Sequence, residues 1–96
     1  MISKISELAK KNKNISDFHL REGSDISYRV MGDIVIEPNS KIEDKDLSDL
    51  LKQNCEEEEI TKFTAKNELD TAVMLGDLRF RANFYKTLNG IAAVLR

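Results

Sequence analysis

The sequence has one cysteine and one histidine in 96 residues. A lone Cys55 cannot close an internal disulfide, and that count fits a reducing cytosol. Cys55 with His19 is also too small a donor set for a protein-only zinc site. No apolar run is longer than Ile91–Leu95, far short of the ~20 residues that cross a bilayer. The N-terminus lacks the charged start and apolar stretch of a secretory signal. An excess of positive charge is missing too. The formal net charge is −2, with acids and bases interleaved, which speaks against a nucleic-acid partner.

What is present is the composition of one small soluble domain, residues 1–96, with 41% hydrophobic and 33% charged residues. A chain of this length buries roughly 60–70% of its unfolded surface, enough for a single core. Ile2, Ile5, Leu8 and Ala9 fall at helical spacing, with lysines toward the end, and predict a short amphipathic helix. Alternation in "SDFHLREGSD" predicts a strand with Phe18 and Leu20 inward and Asp17, His19 and Arg21 outward. A turn follows at Glu22–Asp25.

"ISYRVMGDIVIEP" reads as two strands joined at Gly32-Asp33. Ser40 and Glu43 have capping-box spacing before a helix with Leu47, Leu50 and Leu51 on one face. "CEEEEITKFTAKN" predicts a second helix with Ile60 and Phe63 inward. The run Glu56–Glu59 is better read as a helix start facing the positive end of the dipole than as a functional acidic patch. Three strands close the chain, joined by tight turns at Gly76-Asp77 and Asn89-Gly90. Strand runs kept apart from helices predict an α+β domain: an antiparallel sheet of about six strands with helices on one face.

These hairpins set a register. A two-residue Asn89-Gly90 turn pairs Leu88 with Ile91, Tyr85 with Val94 and Asn83 with Arg96. Arg79, Arg81, Asn83, Tyr85, Val94 and Arg96 then share one face, and Phe80, Ala82, Phe84, Ala93 and Leu95 form the core face. Arg81 lies diagonal to Arg96. The other hairpin pairs Ala72 with Arg81 and Asp70 with Asn83, so two readings stand. Asp70 and Arg81 form an exposed ion pair worth ~0–1 kcal/mol, or Arg81 and Arg96 converge on an anion that each guanidinium can grip bidentately. His19 has no catalytic partner in sequence and reads as a strand residue held within its own sheet or at a subunit contact.

Two blocks resemble a known family. "SDFHLREGSDISYRVMGDI" is similar to the opening of the N-terminal domain of type IV pilus retraction (twitching motility) ATPases, where a Ser-Asp-x-His-Leu strand precedes an Arg-Val-x-Gly hairpin. "LDTAVMLGDLRFRANFYKTLNGIAAVLR" is similar to its closing Arg-Phe-Arg-x-Asn strand, turn and arginine-ended strand. Ile15 stands where the family often has alanine, and Met31 where it commonly has aspartate. The resemblance implies a PAS-like domain of the secretion-ATPase superfamily, linked to a C-terminal RecA-like ATPase domain in a homohexamer.

ATP and Mg²⁺ would be the cofactors of such a full-length protein, with none expected on the isolated domain. Carried over by position, Arg81 and Arg96 would reach the nucleotide phosphates, with Asn83 orienting them and Arg79 left as a surface residue. Partners would be the ATPase domain, neighbouring subunits and an inner-membrane pilus platform protein. The place would be the cytoplasm, at the inner face of that membrane, with no insertion into it. No Gly-x-x-x-x-Gly-Lys-Ser/Thr phosphate loop occurs in the chain. The expectation is therefore a fragment without catalytic residues, cut at a domain boundary, that does not hydrolyse ATP alone. A start at Met1 with a single cysteine leans toward the retraction branch rather than the extension or type II secretion branch. A stand-alone PAS-like sensor module is the further alternative.

Overall fold

A computed structural model describes residues 3–96. Ile2, expected on the first helix's apolar face, lies outside the described residues. The elements run α1 (Ser3–Lys11), β1 (Ile15–Arg21), β2 (Ser27–Val30), β3 (Asp33–Ile36), α2 (Asp44–Asn54), α3 (Glu57–Lys66), β4 (Glu68–Leu75), β5 (Leu78–Thr87) and β6 (Gly90–Leu95). The strands form one antiparallel sheet in the order β3-β2-β1-β6-β5-β4. The expected α+β architecture is what the chain adopts.

The three helices cover one sheet face. Ile5 from α1, Leu47, Leu50 and Leu51 from α2 and Phe63 from α3 join Phe18, Leu20, Val73, Phe80, Phe84, Ala93 and Leu95 in a single buried cluster. β1, β4, β5 and β6 contribute alternate residues to it, as period-two patterning demands, and Tyr28 of β2 packs against its margin. The other face of the sheet is left without helices, and the arginines stand there.

Both downstream helices start on acidic residues. Glu43 is the N-cap of α2 and its N–H donates to the Asp46 carboxylate at 2.9 Å. Glu56 caps α3, its N–H donating to Glu59 Oε1 at 3.2 Å, with Glu57–Glu59 in the first turn. The acidic run therefore does the helix-starting work its position implied. Ser40 does not cap α2. It is fully buried, accepting from the Ile26 N–H at 2.9 Å and donating to the Glu37 carbonyl at 2.6 Å, so it pins the loop before the helix instead.

Two turns differ by one residue from their sequence reading. The β2–β3 turn is Met31-Gly32, closed by Val30 opposite Asp33. Both central residues have positive φ, 49° and 89°, as a type I′ turn requires. The β5–β6 turn is Leu88-Asn89, closed by Thr87 opposite Gly90. Neither Leu88 nor Asn89 takes positive φ, and Gly90 carries it instead at 129°. The Thr87 hydroxyl holds this arrangement, accepting from the Asn89 N–H at 3.2 Å and donating to the Gly90 carbonyl at 3.0 Å. The Gly76-Asp77 turn is as expected, with Gly76 at φ 63°.

Two stability predictions follow from these backbone positions. A methionine in the left-handed region is strained by ~1–2 kcal/mol where asparagine is tolerated. Met31→Asn should therefore raise stability by about 0.5–1 kcal/mol in urea unfolding; an unchanged midpoint would show that the turn carries no such strain. Gly90→Ala should cost about 1–3 kcal/mol. A Cβ there overlaps the Glu22 carboxylate, and moving that carboxylate aside gives up its bond to the Ile91 N–H. A loss below about 0.5 kcal/mol would contradict the strain assigned to this glycine.

Candidate functional site

The observed β5–β6 register brings Arg81 and Arg96 closer than the sequence reading did. With the turn moved by one residue, every partner on β6 moves by two, which keeps each side chain on its face. Asn83 is opposite Val94 rather than Arg96. Arg81 and Arg96 now stand directly opposite and exchange both backbone hydrogen bonds, at 3.0 and 2.8 Å. Such a pair sets its Cα atoms about 5.5 Å apart with both side chains on one face. Both are exposed. Together with Asn83, Asp70 and Ala72 they line an open groove of about 290 Å³ on the helix-free face.

The β4–β5 register is as expected, with Asp70 opposite Asn83 and Ala72 opposite Arg81. The Asp70–Arg81 ion pair does not form. Asn83 Nδ2 donates to Asp70 Oδ1 at 3.0 Å and to Glu68 Oε1 at 3.2 Å. The amide thus engages the two acids of β4 rather than the arginines. Among the described residues, neither Arg81 nor Arg96 has an ion-pair partner. Two exposed guanidiniums side by side without a paired carboxylate repel each other, which a bound anion would relieve. Arg79, opposite Met74, is an exposed surface residue.

A second cluster, centred on Asp17, was not apparent in the sequence reading. His19 Nε2 lies 2.6 Å from Asp17 Oδ2. Arg29 Nε lies 3.4 Å from Asp17 Oδ1, which also accepts from Ser16 Oγ at 2.8 Å. Asp17 and Arg29 are direct cross-strand partners. An aspartate and histidine two apart on a strand, with an arginine opposite in the next hairpin, was the signal that could have found it. One step along the β1–β6 register, Asp17 is level with Arg96, but its oxygens are committed to His19, Arg29 and Ser16. His19 is thereby held within its own sheet.

Burial of Asp17 works to raise its pKa, but the Ser16 hydrogen bond and the charges of His19 and Arg29 together outweigh it and hold the carboxyl below its ordinary value. Cys55, expected to have no internal disulfide partner, is a half-buried free thiol. Burial pushes its pKa up, opposed by a hydrogen bond with Thr71 and reinforced by Glu59, so it is a poor nucleophile. Among the described residues no group of acids, histidine and cysteine could hold a metal ion. No helix among them is long and apolar enough to cross a membrane.

No sequence-family profile matches the chain, and no curated protein sequence does. Solved structures do match. The fold superposes on the pilus retraction motor PilT, solved with bound ADP, at TM-score 0.79 and 26% identity over 99% of this chain. It superposes on the Legionella pneumophila ATPase DotB at TM-score 0.75 and 22% identity, again over 99% of the chain. The chain spans 28% of the first and 27% of the second. Its resemblance to the N-terminal domain of secretion-superfamily ATPases therefore holds in three dimensions, along almost its whole length.

The Asp17 cluster predicts a pH dependence. A carboxyl with a depressed folded-state pKa adds stability that is fully present above its unfolded value, near 3.8, and is lost as pH falls through the folded value. Asp17→Asn should therefore lower stability at pH 7, and the gap to the parent should close as pH falls below about 4. Urea midpoints at both pH values test this, and a gap independent of pH would exclude an ionic role for Asp17.

Proposed function

We propose that this chain is the N-terminal domain of a pilus retraction ATPase, and that Arg81 and Arg96 donate to the phosphates of its nucleotide. The supporting observation is the directly opposed Arg81–Arg96 pair, exposed in a groove and without an ion-pair partner among the described residues. The likeness to a retraction motor solved with ADP adds to it. A guanidinium pair offers parallel N–H donors to several phosphate oxygens at once, and its charge gains most where the transferring phosphoryl becomes more negative. Asn83 serves this site by occupying Asp70 and Glu68, which would otherwise compete for Arg81.

ATP and Mg²⁺ would be bound by an attached RecA-like ATPase domain, in a homohexamer at the cytoplasmic face of the inner membrane that works on a pilus platform protein. This domain would regulate and assemble that motor rather than carry its catalytic residues. The nearly equal likeness to DotB favours a second reading, an ATPase of another secretion branch. The phosphate role of the arginines is common to both.

The test is turnover of the full reading frame carrying Arg81→Ala or Arg96→Ala. Each should lose ~10-fold or more in ATPase turnover, with folding and assembly intact. Unchanged turnover in both would leave the domain as a structural collar or a stand-alone PAS-like sensor.

A further inference from the structure

Among the described residues, four of the six exposed large hydrophobics lie in one hairpin: Met31 (82% exposed), Ile34 (53%), Val35 (37%) and Ile36 (65%). Three of them are on β3, which is an edge of the sheet. Edge strands are ordinarily guarded by lysine, proline or a bulge, because their outward N–H and C=O groups template further pairing. Within β3 none of these guards is present; Pro38 comes only after the strand.

The backbone alternation shows which groups are free. Val30–Asp33 closes a two-residue turn and is a hydrogen-bonded pair, so Tyr28–Val35 is the next. Glu37 N–H donating to the Ile26 carbonyl at 2.9 Å continues the series. Asp33, Val35 and Glu37 therefore turn their backbone groups toward β2, and Ile34 and Ile36 turn theirs outward. The side chains of Ile34 and Ile36 lie on the helix-free face, where they join Ser27, His19 and Tyr85 around an open groove of about 560 Å³. Asp33, Val35 and Glu37 flank the edge on its helix-covered side.

Charge selects the occupant. A second copy pairing antiparallel through both free residues would set Ile34 against Ile36, Val35 against Val35, and Asp33 against Glu37 at each end. Two acid–acid pairs directly opposed on an edge are destabilising. The same two acids attract a strand with basic ends. Asp33 has no ion-pair partner among the described residues, and Glu37 has only a long contact, 3.9 Å to Lys4.

We propose that the outer edge of β3 is a strand-addition site for an extended segment of a partner protein, apolar in its middle and basic at both ends. Main-chain bonds to Ile34 and Ile36 supply the affinity, and the acids at Asp33 and Glu37 set the choice of partner.

An amide-resolved NMR titration of the 96-residue chain with two synthetic peptides, acetyl-Lys-Ile-Val-Ile-Lys-amide and acetyl-Glu-Ile-Val-Ile-Glu-amide, tests this. The basic peptide should shift the amides of Ile34 and Ile36 and bind at least ~10-fold more tightly than the acidic one. Asp33→Lys with Glu37→Lys should invert that preference. Ile36→Pro removes one outward donor without touching the β2–β3 ladder, and should abolish the shifts while leaving the rest of the spectrum in place. No shift at Ile34 and Ile36 with the basic peptide at millimolar concentration overturns the proposal. So does equal affinity for the two peptides, or a concentration-dependent dimer in sedimentation that Ile36→Pro disperses.

Discussion

The antiparallel pairing of β1 with β6 joins two three-stranded meanders, β3-β2-β1 and β6-β5-β4, into one sheet. It sets Phe18 against Leu95 and Leu20 against Ala93, all of them buried. Neither meander alone offers a face broad enough to cover three helices, so the core of this small domain depends on that seam. The Phe18 ring reaches past it to Phe80, edge to face at 6.0 Å between centroids. Glu22 finishes the seam from both sides: its N–H donates to the Ile91 carbonyl at 3.2 Å, and its carboxylate accepts from the Ile91 N–H at 3.3 Å. Gly90 is the residue that lets the carboxylate in.

The seam also decides the electrostatics. All five arginines, at positions 21, 29, 79, 81 and 96, fall on the helix-free face. The lysines lie on helices, in loops or, for Lys86, on the helix-covered side over the Phe63 ring. Seven of the seventeen acids, Glu43, Asp44, Asp46 and Glu56–Glu59, are at the starts of α2 and α3. A net charge of −2 thus conceals a polarised domain. Planar guanidiniums suit contacts that must fix geometry as well as charge, as the proposed phosphate contact on the uncovered face requires. Asp17 pairs with Arg29 at one end of that face, and Arg81 and Arg96 are left without an ion-pair partner among the described residues.

The groove of Arg81 and Arg96 and the outer edge of β3 are different surfaces with different chemistry. The first is basic and rests on side chains; the second is apolar, acid-flanked and rests on free backbone groups. A domain that met a nucleotide on one and an extended partner segment on the other would use the sheet twice without the sites overlapping, because Arg81 and Ile34 are separated by three strands in the same sheet.

Alternation of apolar and polar residues was enough to assign Phe18, Leu20, Phe80, Phe84 and Leu95 to the core and the arginines to the opposite face. That assignment survived a misplaced turn because moving a hairpin turn by one residue shifts partners by two, and strand parity repeats every two. The start of α3 in the Glu56–Glu59 run was likewise local, since a cap is satisfied within its own first turn, whereas α2 starts at Glu43 and not at Ser40, which a distant partner, Ile26, engages. Local pattern gave the β4–β5 partners but not those across β5–β6 or β2–β3. The Thr87 hydroxyl and the Glu22 carboxylate, the latter from the far end of the chain, selected the Leu88-Asn89 turn over the stronger local Asn-Gly signal. That choice placed Arg81 directly across from Arg96. The pairing of β1 with β6, the burial of Ser40 under Ile26 and the gathering of His19 and Arg29 onto Asp17 joined residues distant in sequence or on separate strands. Only the folded chain decided them, because contacts between strands are settled by the competition of whole registers for one core and not by any short window of sequence.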